Sequence, residues 1–161
     1  MGRLKNNKGM SIVELLSAIA VMVLVTAVLV TGVRLGVKAY IRSVSMSEAQ
    51  MLCTTLTTAV SDELRYAGTI KIAADGKVSF FSQKGQDSSF KQDEKGHVLL
   101  ADKPLLSDAA YPYGLKAEVT VNMVNNIFNA KVEVKSKTDN VLSVNEFQVK
   151  PIRNNPPVIQ Q

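Results

Sequence analysis

An uninterrupted apolar run near the N-terminus is the feature that most constrains this chain. From Leu15 to Val33, nineteen consecutive residues carry no charge, and most of them are Val, Leu, Ala, Ile or Met. A helix needs about 20 such residues, at 1.5 Å rise per residue, to cross about 30 Å of hydrocarbon. The run therefore predicts a transmembrane helix, and a chain of 161 residues leaves room for one ordinary domain beyond it.

Charge and cysteine content exclude several classes of protein. The formal net charge is +5, but three of the 19 basic residues, Arg3, Lys5 and Lys8, lie in the first nine positions. The other 16 nearly balance 14 acidic residues, so we expect no direct nucleic-acid partner. Cys53 is the only cysteine, which excludes an intrachain disulfide and a thiolate metal cluster.

Three interpretations of the N-terminal segment compete. A secretory signal could be cut after Ala27, but the apolar part of such signals is usually about 7–15 residues, shorter than this run. A plain membrane anchor fits the length and leaves Glu14 unexplained, because an acid at the centre of a membrane helix costs about 2.5–3.5 kcal/mol. Glu14 lies near one end of the run, so its cost is smaller, yet an anchor still gives no reason for it.

The third interpretation accounts for Glu14 through the stretch Lys8–Glu14, KGMSIVE. This stretch resembles the processing site of type IV pilins and pseudopilins: a short basic leader ending in Gly9, a hydrophobic Met10, and Glu14 as fifth residue of the mature chain. The resemblance implies that a prepilin peptidase cuts between Gly9 and Met10 on the cytoplasmic side and methylates the new amine of Met10. The apolar run that follows directly is the context expected for such a motif, and it makes the resemblance more specific.

The resemblance also implies partners for the N-terminal helix. Glu14 would pair with the N-terminal amine of a neighbouring subunit, within packed helices where an unpaired charge is expensive. Further implied partners are other pilin-like subunits, the prepilin peptidase, an inner-membrane assembly platform and, before assembly, membrane lipid. No cofactor or metal is implied.

The implied location is the cytoplasmic membrane, crossed once with the N-terminus in the cytoplasm, followed by an extracellular or periplasmic filament. Charge alone does not orient the span, because Arg34, Lys38 and Arg42 follow it just as three basic residues precede it. Gram-negative type IVa major pilins usually have a C-terminal disulfide loop. The single cysteine therefore favours a minor pilin, a pseudopilin or a Gram-positive system, in a pilus, DNA-uptake or type II secretion-like filament. A non-polymerising, single-pass membrane-anchored binding module is the alternative.

Beyond the span the helical pattern continues with an apolar stripe at three- and four-residue steps. We predict a leader over residues 1–9, a membrane or filament-core helix over 10–33 and an amphipathic helix half over 34–68, with Gly68 as the C′ residue. Many pilins have a proline where the two halves meet. This chain has Thr31 and Gly32 there, so any hinge would have to use Gly32 and Gly36.

After Gly68 the apolar period changes to two, which predicts an antiparallel sheet over residues 69–153 and a loose tail over 154–161. Hairpins are expected around Asp75-Gly76 and Asp93–Gly96, with a loop over residues 83–89 between them. A three-stranded meander from residue 115 to 149 should turn at Asn125-Asn126 and at Thr138–Asn140. The predicted fold class is α+β, a long N-terminal helix packed on an antiparallel sheet, as in the type IV pilin fold.

The sequence offers no catalytic constellation, and we expect the protein not to be an enzyme. His97, the sole histidine, has no partner nucleophile in its neighbourhood and is expected at the surface. Cys53 is expected to pack as a small apolar residue. Tyr111 and Tyr113 flank Pro112 in a predicted loop, where they form either a contact patch or an anchor that packs the loop on the sheet.

Overall fold

The structure is a computed structural model and describes residues 11–73, 77–82, 85–152 and 158–159. The chain divides into two compact units, the first ending at Ser43 and the second beginning at Val44. Within these residues the elements, in chain order, are one α-helix, two short 3₁₀ helices and ten strands: α1 (Ile12–Arg65), β1 (Ile70–Ile72), β2 (Val78–Phe81), β3 (Asp87–Ser88), β4 (Phe90–Gln92), β5 (Val98–Leu100), β6 (Lys103–Pro104), the 3₁₀ helices Asp108–Ala110 and Pro112–Gly114, β7 (Lys116–Val124), β8 (Ile127–Lys135), β9 (Val141–Val149) and β10 (Val158–Ile159).

The second part of α1 supplies the centre of the head, by which we mean the unit that begins at Val44. Four-residue steps bring Leu52, Leu56, Val60 and Leu64 onto one face, and all four are buried. The face packs on the sheets in two adjoining clusters of buried residues. One cluster contains Ala49, Leu52, Cys53, Leu56, Val98, Tyr111, Leu115, Ala117, Val132 and Val134, and the other contains Val60, Leu64, Ala67, Ile70, Val78, Phe80, Leu100, Phe128, Ala130 and Val149. The predicted α+β architecture is confirmed.

The strands form three small sheets where the sequence predicted one. Their orders are β10-β1-β2-β3, β4-β5-β6 and β7-β8-β9. Both predicted N-terminal hairpins are present, with Ile70 opposite Phe80 and Phe90 opposite Leu100. The turn predicted at Asp75-Gly76 lies outside the described residues, apart from its flanks.

The meander is the most regular part of the head. Strands β7, β8 and β9 have nine residues each and pair antiparallel in sequence order, as predicted. Asn125 and Asn126 join β7 to β8 with φ values of 52° and 62°. Two central residues in the left-handed region are typical of a type I′ turn, which fits the twist of a hairpin and which asparagine tolerates well.

Three local predictions are wrong. The helix ends at Arg65, and Gly68 is not its left-handed C′ residue. Gly68 instead donates its N–H to the carbonyl oxygen of Phe81 at 2.8 Å, and an added Cβ would lie 3.2 Å from the Phe81 Cβ. Because Gly68 has no side chain, its backbone can approach the backbone of Phe81 this closely.

The other two corrections concern short strands. Residues 87–88, predicted within a loop, form β3 and pair with β2. Residues 158–159, predicted within a loose tail, form β10 and pair with β1 in the parallel sense, the one parallel pair in the described part of the chain. The remainder of the predicted tail beyond Ile152 lies outside the described residues.

Candidate functional site

The predicted processing site is only partly within the described residues. Gly9 and Met10 lie outside them. Glu14 lies in the first turn of α1, where the unpaired N–H groups and the helix dipole favour a negative charge. Its side chain is exposed, and its carboxylate has no hydrogen bond or ion pair within the described part of the chain. Any protein group that pairs with the Glu14 carboxylate would therefore have to come from outside these residues.

The apolar run predicted as a membrane span lies wholly within α1. Every residue from 11 to 43 is exposed, including a continuous series of large aliphatic side chains from Ile12 to Val37. The helix is long and apolar enough to cross a membrane. An exposed apolar surface of this extent is typical of a segment that contacts lipid or another protein.

The hydroxyl groups of this run are bonded within the helix itself. Ser17 donates to the Glu14 carbonyl oxygen at 2.9 Å, Thr26 to Met22 at 2.8 Å and Thr31 to Ala27 at 2.8 Å. An unpaired hydroxyl would be costly in hydrocarbon. These bonds remove that cost without a partner from another helix.

The two tyrosines of the predicted loop have opposite environments. Tyr111 is 5% exposed, and its hydroxyl oxygen accepts a hydrogen bond from the Val98 N–H at 3.0 Å. Burial raises the pKa of the Tyr111 phenol above its ordinary value. Tyr113 is 69% exposed and has a φ of 57°. The sequence left two alternatives open for these residues. Tyr111 packs on the sheet, and a contact patch stays a prediction for Tyr113 alone.

His97 lies against Tyr111 and not at the surface. Its side chain is 11% exposed, and its ring stacks on the Tyr111 ring with centroids 4.0 Å apart. Its Nδ1 lies 3.4 Å from Asp108 Oδ1 and 3.8 Å from Asp93 Oδ2. The prediction of an exposed histidine is wrong because Asp108 and Tyr111, which enclose the ring, come from the following loop. This arrangement holds the β4–β5 turn to that loop.

Asp93 completes the same turn. Its Oδ1 accepts the backbone N–H of His97 at 2.7 Å, and this hydrogen bond lowers the pKa of the Asp93 carboxyl below its ordinary value.

Cys53 packs in the core with its Sγ 3.9 Å from the Val132 carbonyl oxygen, as its predicted role requires. Among the described residues, no three His, Cys, Asp or Glu side chains lie close enough to share a metal ion.

An ion-pair network covers the face of the meander opposite the core, and residue patterning alone did not predict it. Lys131 lies 2.6 Å from Glu133 and 3.6 Å from Glu146, and Lys135 lies 2.7 Å from Glu118 and 3.5 Å from Glu133. Hydrogen bonding to Lys131 lowers the pKa of Glu133, and hydrogen bonding to Glu118 raises that of Lys135. The signal in the sequence was the regular alternation of Lys and Glu on β8, read together with its strand partners.

Comparison with known proteins adds no assignment to these observations. No family model, no curated protein and no solved structure matches the chain.

Proposed function

We propose that this protein is a structural subunit, a minor pilin or a pseudopilin, of a type IV pilus-like, DNA-uptake or type II secretion-like filament. The observation that carries the proposal is the order of features at the N-terminus. A basic leader ending in Gly9 is followed by Glu14 in the first turn of a helix, and then by an uncharged run whose side chains are all exposed.

The unpaired Glu14 carboxylate gives this order a physical meaning. In a polymer of packed helices, the surroundings of Glu14 would be of low dielectric, and a bare charge there would be expensive. After cleavage between Gly9 and Met10, the amine of Met10 in a neighbouring subunit would be largely charged at neutral pH. Pairing of these two groups sets the axial register, because subunits stacked out of register would leave both charges bare.

The exposed apolar surface supports two successive environments for the same helix. Membrane lipid would surround it while the subunit is inserted with its N-terminus in the cytoplasm. Other pilin-like subunits would cover it after an inner-membrane assembly platform has moved it into an extracellular or periplasmic filament. The head has its own core and would lie outside the hydrocarbon in both states. No catalytic step is assigned to the chain.

Mass spectrometry of the N-terminus of the protein recovered from cells tests the processing step. The proposal expects a chain that begins at Met10 with a methylated amine. A mature chain that begins at Met1 would favour the non-polymerising, membrane-anchored binding module. A chain that begins at Val28 would identify a secreted domain cut after Ala27.

Replacement of Glu14 by Ala tests assembly separately. We expect normal membrane insertion and loss of incorporation into sheared filaments, measured by quantitative immunoblotting of the membrane and filament fractions. Glu94→Ala removes one exposed carboxylate from the head and is the matched control, with incorporation unchanged. Incorporation of the Glu14→Ala protein at the level of the control would contradict the proposal.

A further inference from the structure

We propose that three basic residues just beyond the apolar run bind the phosphate groups of anionic lipids, in the leaflet on the head side of the membrane. Arg34, Lys38 and Arg42, which we call the basic stripe, are all exposed. The inference rests on the membrane-spanning part of the proposed function and is independent of polymerisation.

The position of the basic stripe matches the depth of the headgroups. At 1.5 Å per residue, the nineteen uncharged residues from Leu15 to Val33 extend about 28 Å, close to the thickness of the hydrocarbon core. Arg34 is the next residue and would therefore lie at the boundary between hydrocarbon and headgroups. Lys38 and Arg42 would follow about 6 Å and 12 Å further along the axis.

The charge of the basic stripe is uncompensated. Between Glu14 and Glu48 the chain has no acidic residue. None of the three cations forms an ion pair with any residue that the structure describes, whereas several lysines of the head have carboxylate partners. Three cations without counter-ions beside a membrane are attracted to anionic headgroups, and the attraction extends over about one Debye length.

The arrangement on the helix suits binding along a membrane surface. Spacing of four residues places the three cations in a sector of about 80° on one side of α1. Val33, Val37 and Ile41 lie beside them and line the same shallow hollow, so the aliphatic stems of the cations have an apolar surface to follow while their charged ends reach water. Tyr40 is also exposed at this level, where tyrosine is enriched in membrane proteins.

Lipid selectivity of the full chain tests the proposal directly. The protein is reconstituted into vesicles of 70% phosphatidylcholine and 30% phosphatidylglycerol, and electron paramagnetic resonance compares the association of spin-labelled forms of the two lipids with it. We expect Arg34→Gln/Lys38→Gln/Arg42→Gln to lower the preference for phosphatidylglycerol at least about fivefold, the factor expected for one basic residue near an anionic surface. High salt should lower the preference of the unsubstituted protein more than that of the triple variant, which retains only the basic residues outside the basic stripe.

A second triple variant, Lys91→Gln/Lys95→Gln/Lys103→Gln, removes the same charge from exposed positions of the head and should leave the preference unchanged. Both variants retain the basic residues before the span, so a difference between them reports the basic stripe alone. An equal effect of the two variants would overturn the proposal. So would unchanged lipid preference in the first variant together with loss of filament incorporation, which would assign the basic stripe to a protein partner. Filament failure with Glu14→Ala leaves this measurement unaffected, because it is made on unpolymerised protein.

Discussion

The two ends of α1 have the same backbone conformation and opposite surfaces. From residue 11 to 43 every residue is exposed, although most are aliphatic, whereas from Ala49 to Leu64 one apolar face of the helix is buried against the sheets. The later part is stable because its own chain covers it. The earlier part has no cover from its own chain and would need lipid or another protein for it, since most helical stability in proteins comes from packing of an apolar face and not from intrinsic propensity. Matched substitutions in the two parts separate these sources of stability.

Leucine truncation should give the largest contrast. Leu56 is 0% exposed and Leu24 is 68% exposed. Leu56→Ala is expected to destabilise the head by about 2–5 kcal/mol, through lost burial and the cavity that remains. Leu24→Ala should not change head stability. Urea unfolding in mild detergent, followed by near-ultraviolet circular dichroism, measures both. A Leu56→Ala head as stable as the unsubstituted one would show that the head core does not depend on this residue of α1.

Removal of a tyrosine hydroxyl should give the next largest contrast. Tyr111→Phe leaves the buried Val98 N–H without its acceptor, which we expect to cost about 1–3 kcal/mol of head stability. Tyr40→Phe, on the exposed part of α1, should cost nothing in the same unfolding assay. A Tyr111→Phe protein as stable as the unsubstituted one would mean that water or a shifted loop satisfies that N–H.

Glycine substitution sharpens the comparison at the level of the backbone. Gly68→Ala inserts a Cβ 3.3 Å from the Phe81 carbonyl oxygen. We expect the head to lose about 1 kcal/mol of stability, because the cost of overpacking exceeds the gain from a lower conformational entropy of the unfolded chain. Gly32→Ala meets no atom within 4 Å and should leave head stability unchanged. Stabilisation by Gly68→Ala in thermal unfolding would contradict the close approach of β2.

Acid titration should give the smallest contrast. The hydrogen bond from Lys131 holds the pKa of Glu133 below its ordinary value of 4.5, so ionised Glu133 stabilises the folded head above that pH. Its contribution is lost as the pH falls through 4.5 towards the lower folded-state pKa. Glu133→Gln should therefore destabilise the head by less than about 1 kcal/mol at pH 7, with the difference vanishing in acid. Glu14→Gln, the matched substitution outside the head, should leave the stability of the head at pH 7 unchanged.

Periodicity was sufficient to predict the elements that are long. Nine-residue alternation and the Asn125-Asn126 pair together define β7 and β8, because one buried face excludes odd register shifts and the two-residue turn fixes the register that remains. Strands β3 and β10 have two residues each, too few for any period to be visible. They exist because a neighbouring strand offers unpaired backbone groups, which is a property of the folded head and not of the local sequence.

Prediction of the candidate site was limited in a different way. The N-terminal motif can be recognised from sequence alone, because residue identity and spacing carry the resemblance, yet Gly9 and Met10 lie outside the described residues. The surroundings of His97 could not be read, because they combine Asp93 with Asp108 and Tyr111 from the next loop. Gly68 was misassigned for a similar reason. A glycine after a helix usually caps it, but here glycine is needed because Phe81, thirteen positions later, packs closely against its backbone.

The intrahelical bonds of Ser17, Thr26 and Thr31 bear on how readily such a helix can change its surroundings. A hydroxyl that depended on a neighbouring chain would have to break one bond and form another at each transfer. These three carry their acceptors with them, so a move from lipid into contact with another protein would break none of their hydrogen bonds. Any transfer of this segment out of a bilayer would therefore involve no exchange of hydroxyl partners.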